Sequence, residues 1–149
     1  MTRRVARSSL GCVRLSRFIA TAAALGLAGA AVADAPRRVV SMNLCTDQLA
    51  MLIAAPGQLV SVSYVAKDPY SSALAEQAKA YPQNRGGAEE IFRMQPDLVL
   101  ADVWSDSLAT GMLSDLGVEI VRFEGVSSLE AIPVQLRRMG EVLGQGARA

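Results

Sequence analysis

The side chains best suited to binding lie directly after predicted strands or within one glycine-rich loop. Arg85 lies in the loop 84–87, NRGG, and its planar guanidinium could hold carboxylate or phenolate oxygens of an anionic ligand. Tyr64 and Trp104 follow the second and fourth predicted strands and could stack on a flat or aromatic ligand. Each also has an ordinary interpretation, as a solvated loop arginine or as an aromatic residue of the core or its rim. We take all three as candidates for ligand binding.

The first strand–helix loop carries a second set of polar side chains, Asn43, Cys45 and Asp47. A cysteine there could act as a soft metal ligand, although the favoured interpretation of Cys45 is a small buried packing residue near the helix start. Asp47 is expected to cap the helix or to lie in its first turn. Asn43 and Cys45 are further candidates for ligand binding, because they lie beside the cleft expected below.

The sequence lacks the residues that most catalytic sites need. It contains no histidine, which removes the commonest general base and excludes serine–histidine and cysteine–histidine catalysis within the chain. One cysteine after residue 33 allows no internal disulfide there and makes a zinc site very unfavourable. The nucleophile-elbow, Rossmann and P-loop patterns are also missing from the sequence. We therefore expect no enzymatic activity, no metal site of the chain's own and no bound cofactor.

Alternating apolar runs and helical periods predict the elements that position these side chains. Strands are predicted at 38–41, 59–62, 98–101 and 118–122, with a possible short edge strand within 81–87. Helices are predicted from Thr46 or Asp47 to Pro56, from Ser71 or Ser72 to Ala80, from Glu89 to Pro96, from Ser105 or Asp106 to Gly117, and from Ser127 or Ser128 to Leu143.

Repeated strand–helix units predict an α/β fold, a three-layer α/β/α lobe with a mostly parallel sheet of four or five strands. Ligands of such sheets bind beyond the carboxyl ends of the strands. The loops that begin at Met42, Ser63, Asp102 and Phe123 are therefore expected to form the site.

The first 33 residues have the pattern of an export signal. Five arginines and no acid are followed by an apolar run from Phe18 and by Ala31-Val32-Ala33, an A-x-A cleavage site. We expect cleavage after about Ala33 and a periplasmic location; a retained anchor, a twin-arginine signal and a lipid anchor on Cys12 fit less well. The remainder, 34–149, carries all 14 acids and 10 of the 15 basic residues, a net charge of about −4. This charge does not suit nucleic acid.

The stretch 87–101, GAEEIFRMQPDLVLA, joins these elements into a recognisable pattern. A short helix with Glu89 and Glu90 is stopped by Pro96, which is expected to push Gln95 into an extended conformation. An apolar strand follows directly after Asp97. Together with the opening strand VVS, the segment TDQL and the loop NRG, this order resembles periplasmic substrate-binding proteins of ABC importers for iron siderophores, haem or vitamin B12.

The resemblance implies the amino-terminal lobe of a two-lobed protein, with the ligand held in a cleft between the lobes. It implies that Glu89, seven residues before Pro96, docks on arginines of a membrane permease, whereas a first-turn acid favoured by the helix dipole is the ordinary interpretation of Glu89 and Glu90. It also implies that Arg85 faces the ligand. The expected partners are then a metal chelate, an ABC permease and a carboxy-terminal lobe that is absent here and could be encoded on a separate chain. The sequence does not choose among siderophore, haem and cobalamin.

Two other functions are compatible with the sequence. The chain could be a truncated, non-functional remnant or half of a split binding protein, since the second lobe is missing from the 149 residues. The α/β pattern alone also fits an exported hydrolase or a flavodoxin-like redox domain, but no catalytic motif accompanies it.

Overall fold

The computed structural model describes residues 34–149, so the predicted export signal and its cleavage site lie outside the described residues. The described part contains a five-stranded, all-parallel sheet with the strand order β3-β2-β1-β4-β5. The strands are β1 (Val39–Ser41), β2 (Leu59–Ser63), β3 (Gln83–Asn84), β4 (Leu98–Asp102) and β5 (Glu119–Phe123). The predicted fold class is confirmed, and the edge strand expected within 81–87 is β3.

Five α-helices connect or follow the strands in the described part. They are α1 (Leu44–Ile53), α2 (Ala75–Ala78), α3 (Ala88–Arg93), α4 (Ser107–Asp115) and α5 (Ile132–Val142), with 3₁₀-helical turns at Tyr64–Lys67, Leu129–Ala131 and Gly146–Arg148. Within residues 34–149, no helix combines the length and the apolar character needed to cross a membrane.

The sheet is buried on both faces, because its strands supply side chains to two separate hydrophobic clusters. One cluster joins Val39 and Leu100 to α1 and α5 through Ile53 and Met139. The other joins Val40 and Val99 to α3 and α4 through Ile91 and Leu113. Adjacent residues such as Val39 and Val40 enter different clusters because successive side chains of a strand point to opposite faces.

The strand order creates one point at which the chain changes direction across the sheet. From β1 the chain moves outward through β2 to β3, and it then returns past β1 to add β4 and β5 on the other side. The loops after β1 and β4 therefore diverge, and the crevice between them is where open α/β sheets hold ligands.

The start of α1 corrects one prediction. The helix begins at Leu44, with Asn43 as its N-cap and not Thr46 or Asp47. The Oδ1 atom of Asn43 accepts a hydrogen bond of 2.8 Å from the backbone N–H of Cys45, the usual arrangement at a helix start. Thr46 and Asp47 are buried against the sheet instead.

The second helix is shorter than predicted, because α2 covers only Ala75–Ala78. Ser72 does not cap it; the Ser72 hydroxyl accepts a 3.2 Å hydrogen bond from the backbone N–H of Leu74, ahead of the helix. The segment buries only the small side chains of Ala75 and Ala78, so little apolar surface stabilises a longer helix.

The turn between α3 and β4 corrects a third prediction. Gln95 is left-handed, with φ of +51°, and not extended. Pro96 disfavours the right-handed helical region for the residue before it, and here the chain avoids that region through the left-handed one. Arg38 stabilises this turn, because its guanidinium donates to the carbonyl oxygens of Met94 at 2.6 Å and Gln95 at 3.0 Å.

Candidate ligand-binding site

A cleft of about 280 Å³ lies at the carboxyl edge of the sheet, where the loops after β1, β3 and β4 meet. Its position agrees with the crevice that the strand order creates. It is lined by Met42, Asn43, Arg85, Gly86, Gly87, Trp104, Ser105 and Asp106. Three of the residues proposed from the sequence, Asn43, Arg85 and Trp104, are thus brought together.

The side chain of Asn84, the last residue of β3, anchors the loop that carries Arg85. Its side chain is fully buried, and its amide nitrogen lies 2.9 Å from the carbonyl oxygen of Ser41 and 3.0 Å from that of Val62. The same nitrogen lies 2.9 Å from the hydroxyl of Ser61, and the amide oxygen accepts from the backbone N–H of Gly86 at 3.1 Å. Asn84 therefore ties the loop to β1 and β2.

Arg85 is held at two points in this loop. Its backbone N–H donates a 2.8 Å hydrogen bond to the Oε2 atom of Glu90, and its guanidinium carbon lies 5.6 Å from the centre of the Tyr64 ring, a cation–π distance. Within residues 34–149, no carboxylate lies within ion-pair distance of the guanidinium. Its charge is therefore available to a ligand, and Tyr64 joins the site through Arg85.

Trp104 lies in a hydrogen-bonded turn after β4. Asp102, the buried last residue of that strand, accepts hydrogen bonds at its Oδ1 atom from the backbone N–H of Trp104 at 3.0 Å and from the Ser105 hydroxyl at 2.8 Å. The indole itself is 85% exposed. An aromatic face is thus held in solvent by a buried acid.

Cys45 lies outside the cleft lining, and the prediction that it is buried was wrong, because its side chain is exposed. The cause is the early start of α1: Thr46, Asp47, Ala50 and Ile53 form the buried face of the helix, and Cys45 lies beside that face. Partial burial of the thiol, followed by the charges of Asp102 and Asp47, raises the pKa of Cys45 above its usual value. The thiol is therefore mostly protonated at neutral pH, a form that binds metal poorly.

Asp47 is a fully buried acid that joins α1 to the end of β2. Its carboxylate accepts from the backbone N–H of Ser63 at 3.1 Å and from the Ser63 hydroxyl at 2.5 Å. Burial raises the pKa of Asp47 to about 6, and the two hydrogen bonds from Ser63 only partly offset this rise. Because Ser63 directly precedes Tyr64, this contact fixes the base of the aromatic residue.

The two consecutive glutamates of α3 face different surroundings. Glu90, at the third helical position, reaches back to the loop, whereas the Glu89 side chain is 87% exposed and lies 3.8 Å from Arg93 in a loose surface pair. Sequence spacing had singled out Glu89, and the geometry separates it from Glu90 in a second way. Of the two glutamates, Glu89 is the more exposed.

Sequence reasoning missed Asn84, Asp102 and Glu90 as residues that build the site. The one available signal was a polar residue at the last position of a strand, which Asn84 and Asp102 share. The partners of Asn84 lie up to 43 positions away in the sequence, and no local pattern encodes those contacts, whereas Asp102 and Glu90 bind residues close to them in the sequence.

Other hollows lie at the opposite, amino edge of the sheet. They measure about 250 and 460 Å³ and share the wall formed by residues 34–37. We place the candidate site at the carboxyl edge because the uncompensated arginine and the exposed indole lie there. Residues 34–149 bring together no group of three histidine, cysteine, aspartate or glutamate residues that could hold a metal ion.

Solved structures with the same fold are periplasmic binding proteins. A periplasmic haem-binding protein from Pseudomonas aeruginosa matches with a TM-score of 0.63 at 21% identity, covering 76% of this chain and 40% of that one. A possible iron-binding, periplasmic solute-binding protein from Staphylococcus epidermidis gives 0.63 at 21%, covering 76% and 44%. The periplasmic haem-binding protein RhuT from Roseiflexus gives 0.61 at 23%, covering 75% and 43%.

The fold is that of periplasmic solute-binding proteins. The resemblance read from the sequence is thereby confirmed at the level of the fold. The chain spans about 40% of the length of the haem-binding protein from Pseudomonas aeruginosa. No protein-family model matches the chain, and no curated protein matches it.

Proposed function

We propose that this chain is one lobe of a periplasmic binding protein that captures a metal chelate and delivers it to an ABC importer. The observation that carries the proposal is the uncompensated guanidinium of Arg85, which lines the cleft of a fold shared with haem- and iron-binding proteins. Binding without chemical conversion fits this site, since those neighbours are binding proteins. Their periplasmic location and the predicted export signal support the same location here.

The electrostatics of the cleft favour an anionic chelate. The amino-terminal end of α1 lies at the cleft through Asn43, and helix amino-termini carry partial positive charge. At α4 the carboxylate of Asp106 caps the helix and offsets this charge. Arg85 adds a full charge that can pair with carboxylate or phenolate oxygens. A ferric siderophore or haem carries such groups, and we therefore favour them over cobalamin as the ligand.

The aromatic residues suit the body of such a ligand. Trp104 is 85% exposed and Tyr64 is 52% exposed. The indole offers an apolar face to a ligand, whereas one face of the Tyr64 ring lies under the Arg85 guanidinium. We propose that a second lobe, on a longer or a separate chain, faces this edge and encloses the ligand. The exposed Glu89 then docks the lobe on arginines of the permease, where complementary charge favours the correct orientation and a fast encounter.

A titration followed by tryptophan fluorescence tests the proposal. Trp104 is the single tryptophan, so its emission reports directly on the cleft. We expect haemin or ferric enterobactin, both anionic, to quench this emission with saturation, and cyanocobalamin to bind more weakly. Arg85→Gln should weaken binding of the anionic probes about tenfold, which corresponds to one lost charge-assisted hydrogen bond.

The controls separate binding from optical artefacts and from the competing functions. Trp104→Phe, followed by probe absorbance, should still bind with modest loss. Saturable binding that Arg85→Gln does not change would contradict the assigned site. Failure of all three probes to bind the folded protein would contradict the binding proposal and favour the hypothesis that the chain is a non-functional remnant.

A further inference from the structure

The carboxylate of Glu90, on α3, accepts a hydrogen bond from the backbone of the neighbouring loop. We propose that Glu90 is a positioning residue for ligand binding: by holding the backbone of Arg85, it fixes the arginine in the cleft and links the cleft mechanically to α3. This inference rests on the proposed function, since it assigns Arg85 to the ligand. It adds a residue that neither motif spacing nor the cleft lining identifies.

The loop between β3 and α3 needs such a restraint. It comprises residues 85–87, and two of these three are glycines, which have the largest conformational freedom of any residue. Gly86 adopts a left-handed conformation with φ of +80°. The hydrogen bond from the Arg85 N–H to Glu90 fixes the peptide between Asn84 and Arg85, and the hydrogen bond from the Gly86 N–H to Asn84 fixes the next one. Without Glu90, the loop loses the first of these two restraints, the one that holds the backbone of Arg85.

The geometry also explains why an acid so close to Arg85 does not neutralise it. The Oε2 atom of Glu90 lies 2.8 Å from the backbone nitrogen of Arg85, whereas the guanidinium lies over the Tyr64 ring at 5.6 Å. No ion pair between Glu90 and Arg85 is present. The carboxylate therefore orients the arginine through its main chain and leaves the side-chain donors for a ligand.

Helix α3 carries both the residue that holds the cleft arginine and the residue proposed to dock on the permease. Glu90 holds the cleft arginine, and the adjacent Glu89 is the exposed acid proposed to dock on the permease. A ligand that pulls on Arg85 therefore acts on α3 through one hydrogen bond. This gives an occupied cleft a direct route to the docking residue.

The first arm of the test needs no ligand. Amide hydrogen exchange of the Arg85 N–H is compared in the wild type, Glu90→Ala, Glu90→Gln and the control Glu76→Gln, an exposed acid that pairs with Lys79 on α2. We expect exchange at Arg85 to become about tenfold faster in Glu90→Ala, to stay within about threefold in Glu90→Gln, which keeps an acceptor oxygen, and to stay unchanged in Glu76→Gln. Unchanged exchange in Glu90→Ala overturns the proposal, whatever the ligand is.

The second arm measures haemin and ferric enterobactin affinity in a double-mutant cycle. Glu90→Ala should weaken binding about fivefold to tenfold in the wild type and have no effect when Arg85 is already glutamine, because Glu90 acts only through Arg85. Glu90→Gln should restore most of the affinity. A loss of equal size in both backgrounds would indicate a general structural role and overturn the proposal. If no probe binds, the proposed function fails, and with it the role of Glu90 in binding, while the exchange data still report on the Glu90–Arg85 contact.

Discussion

The two edges of the parallel sheet use their polar side chains in opposite ways. At the amino edge, Asp97 accepts hydrogen bonds from the backbone N–H groups of Arg37 and Arg38 at 2.7 and 2.9 Å. Gln58 there donates to the carbonyl oxygens of Pro36 and Leu143 at 2.7 and 2.8 Å. These side chains connect distant segments of the chain to one another and stabilise the domain.

At the carboxyl edge, the polar residues support loops, and these loops carry an arginine and an indole that face solvent. Asn84 and Asp102 are buried and hydrogen-bonded, yet what they position is an arginine without a carboxylate partner and an exposed indole. Asp47 there is buried and accepts two hydrogen bonds from Ser63. The amino edge thus joins distant segments of the chain, whereas the carboxyl edge is the one at which we propose binding, and we expect mutations at the two edges to differ in kind.

Ionisation of Asp47 is expected to give the largest effect on stability. Because its pKa is raised from the ordinary 3.8 to about 6 in the folded state, the folded protein binds more protons than the unfolded chain between these values. The free energy of unfolding should therefore fall as the pH rises from 4 to 7, by about 2.5 kcal/mol from this residue alone.

The variant Asp47→Asn isolates this contribution. Its amide oxygen can still accept from the Ser63 N–H, and it carries no charge at any pH. Urea unfolding followed by circular dichroism at pH 4, 5, 6 and 7 should show the variant gaining stability relative to the wild type as the pH rises. Parallel pH dependences for the two proteins would show that Asp47 does not ionise at a cost in the folded state.

Asp97→Ala probes the opposite edge and should have the second largest effect. It removes two hydrogen bonds that a carboxylate makes to backbone N–H groups and should lower the free energy of unfolding by about 1–2 kcal/mol. Binding of haemin or ferric enterobactin should stay unchanged, because the cleft lies at the other edge. A change in affinity as large as that caused by Arg85→Gln would break the distinction between the edges.

The sequence predicted the sheet because its strands are apolar runs bounded by turn residues. Leu98–Asp102, for example, is buried at all five positions, which is typical of a strand covered on both faces. Predictions failed where a helix start or a turn depended on a single side chain. At the start of α1, Asn43 and not Thr46 is the cap. At the end of α3, Gln95 adopts a left-handed conformation that its type disfavours, next to the hydrogen bonds that Arg38 donates to the Met94 and Gln95 carbonyl oxygens.

The candidate site could be predicted only in part, for a related reason. Arg85, Asn43 and Trp104 follow strands, so the rule for parallel sheets placed them at one edge. The contacts of Asn84 with Ser41 and Val62 span 43 and 22 positions, and they exist only once three strands pair. The different orientations of Glu89 and Glu90 likewise follow from the shape of the loop and not from their types, which are identical.

Glu89→Gln should produce the smallest change in stability and the sharpest separation of functions. The variant loses only a loose, exposed pair with Arg93 at 3.8 Å, a contribution of about 0.3–0.5 kcal/mol at most. If the exposed acid docks on the permease, association with the detergent-solubilised permease of the same organism should weaken by tenfold or more, with unfolding unchanged. Glu76→Gln, which removes an equivalent exposed acid on α2, should leave that association intact. Equal association of Glu89→Gln and wild type would leave Glu89 as a first-turn acid favoured by the helix dipole, and the carboxyl edge would then serve the ligand alone.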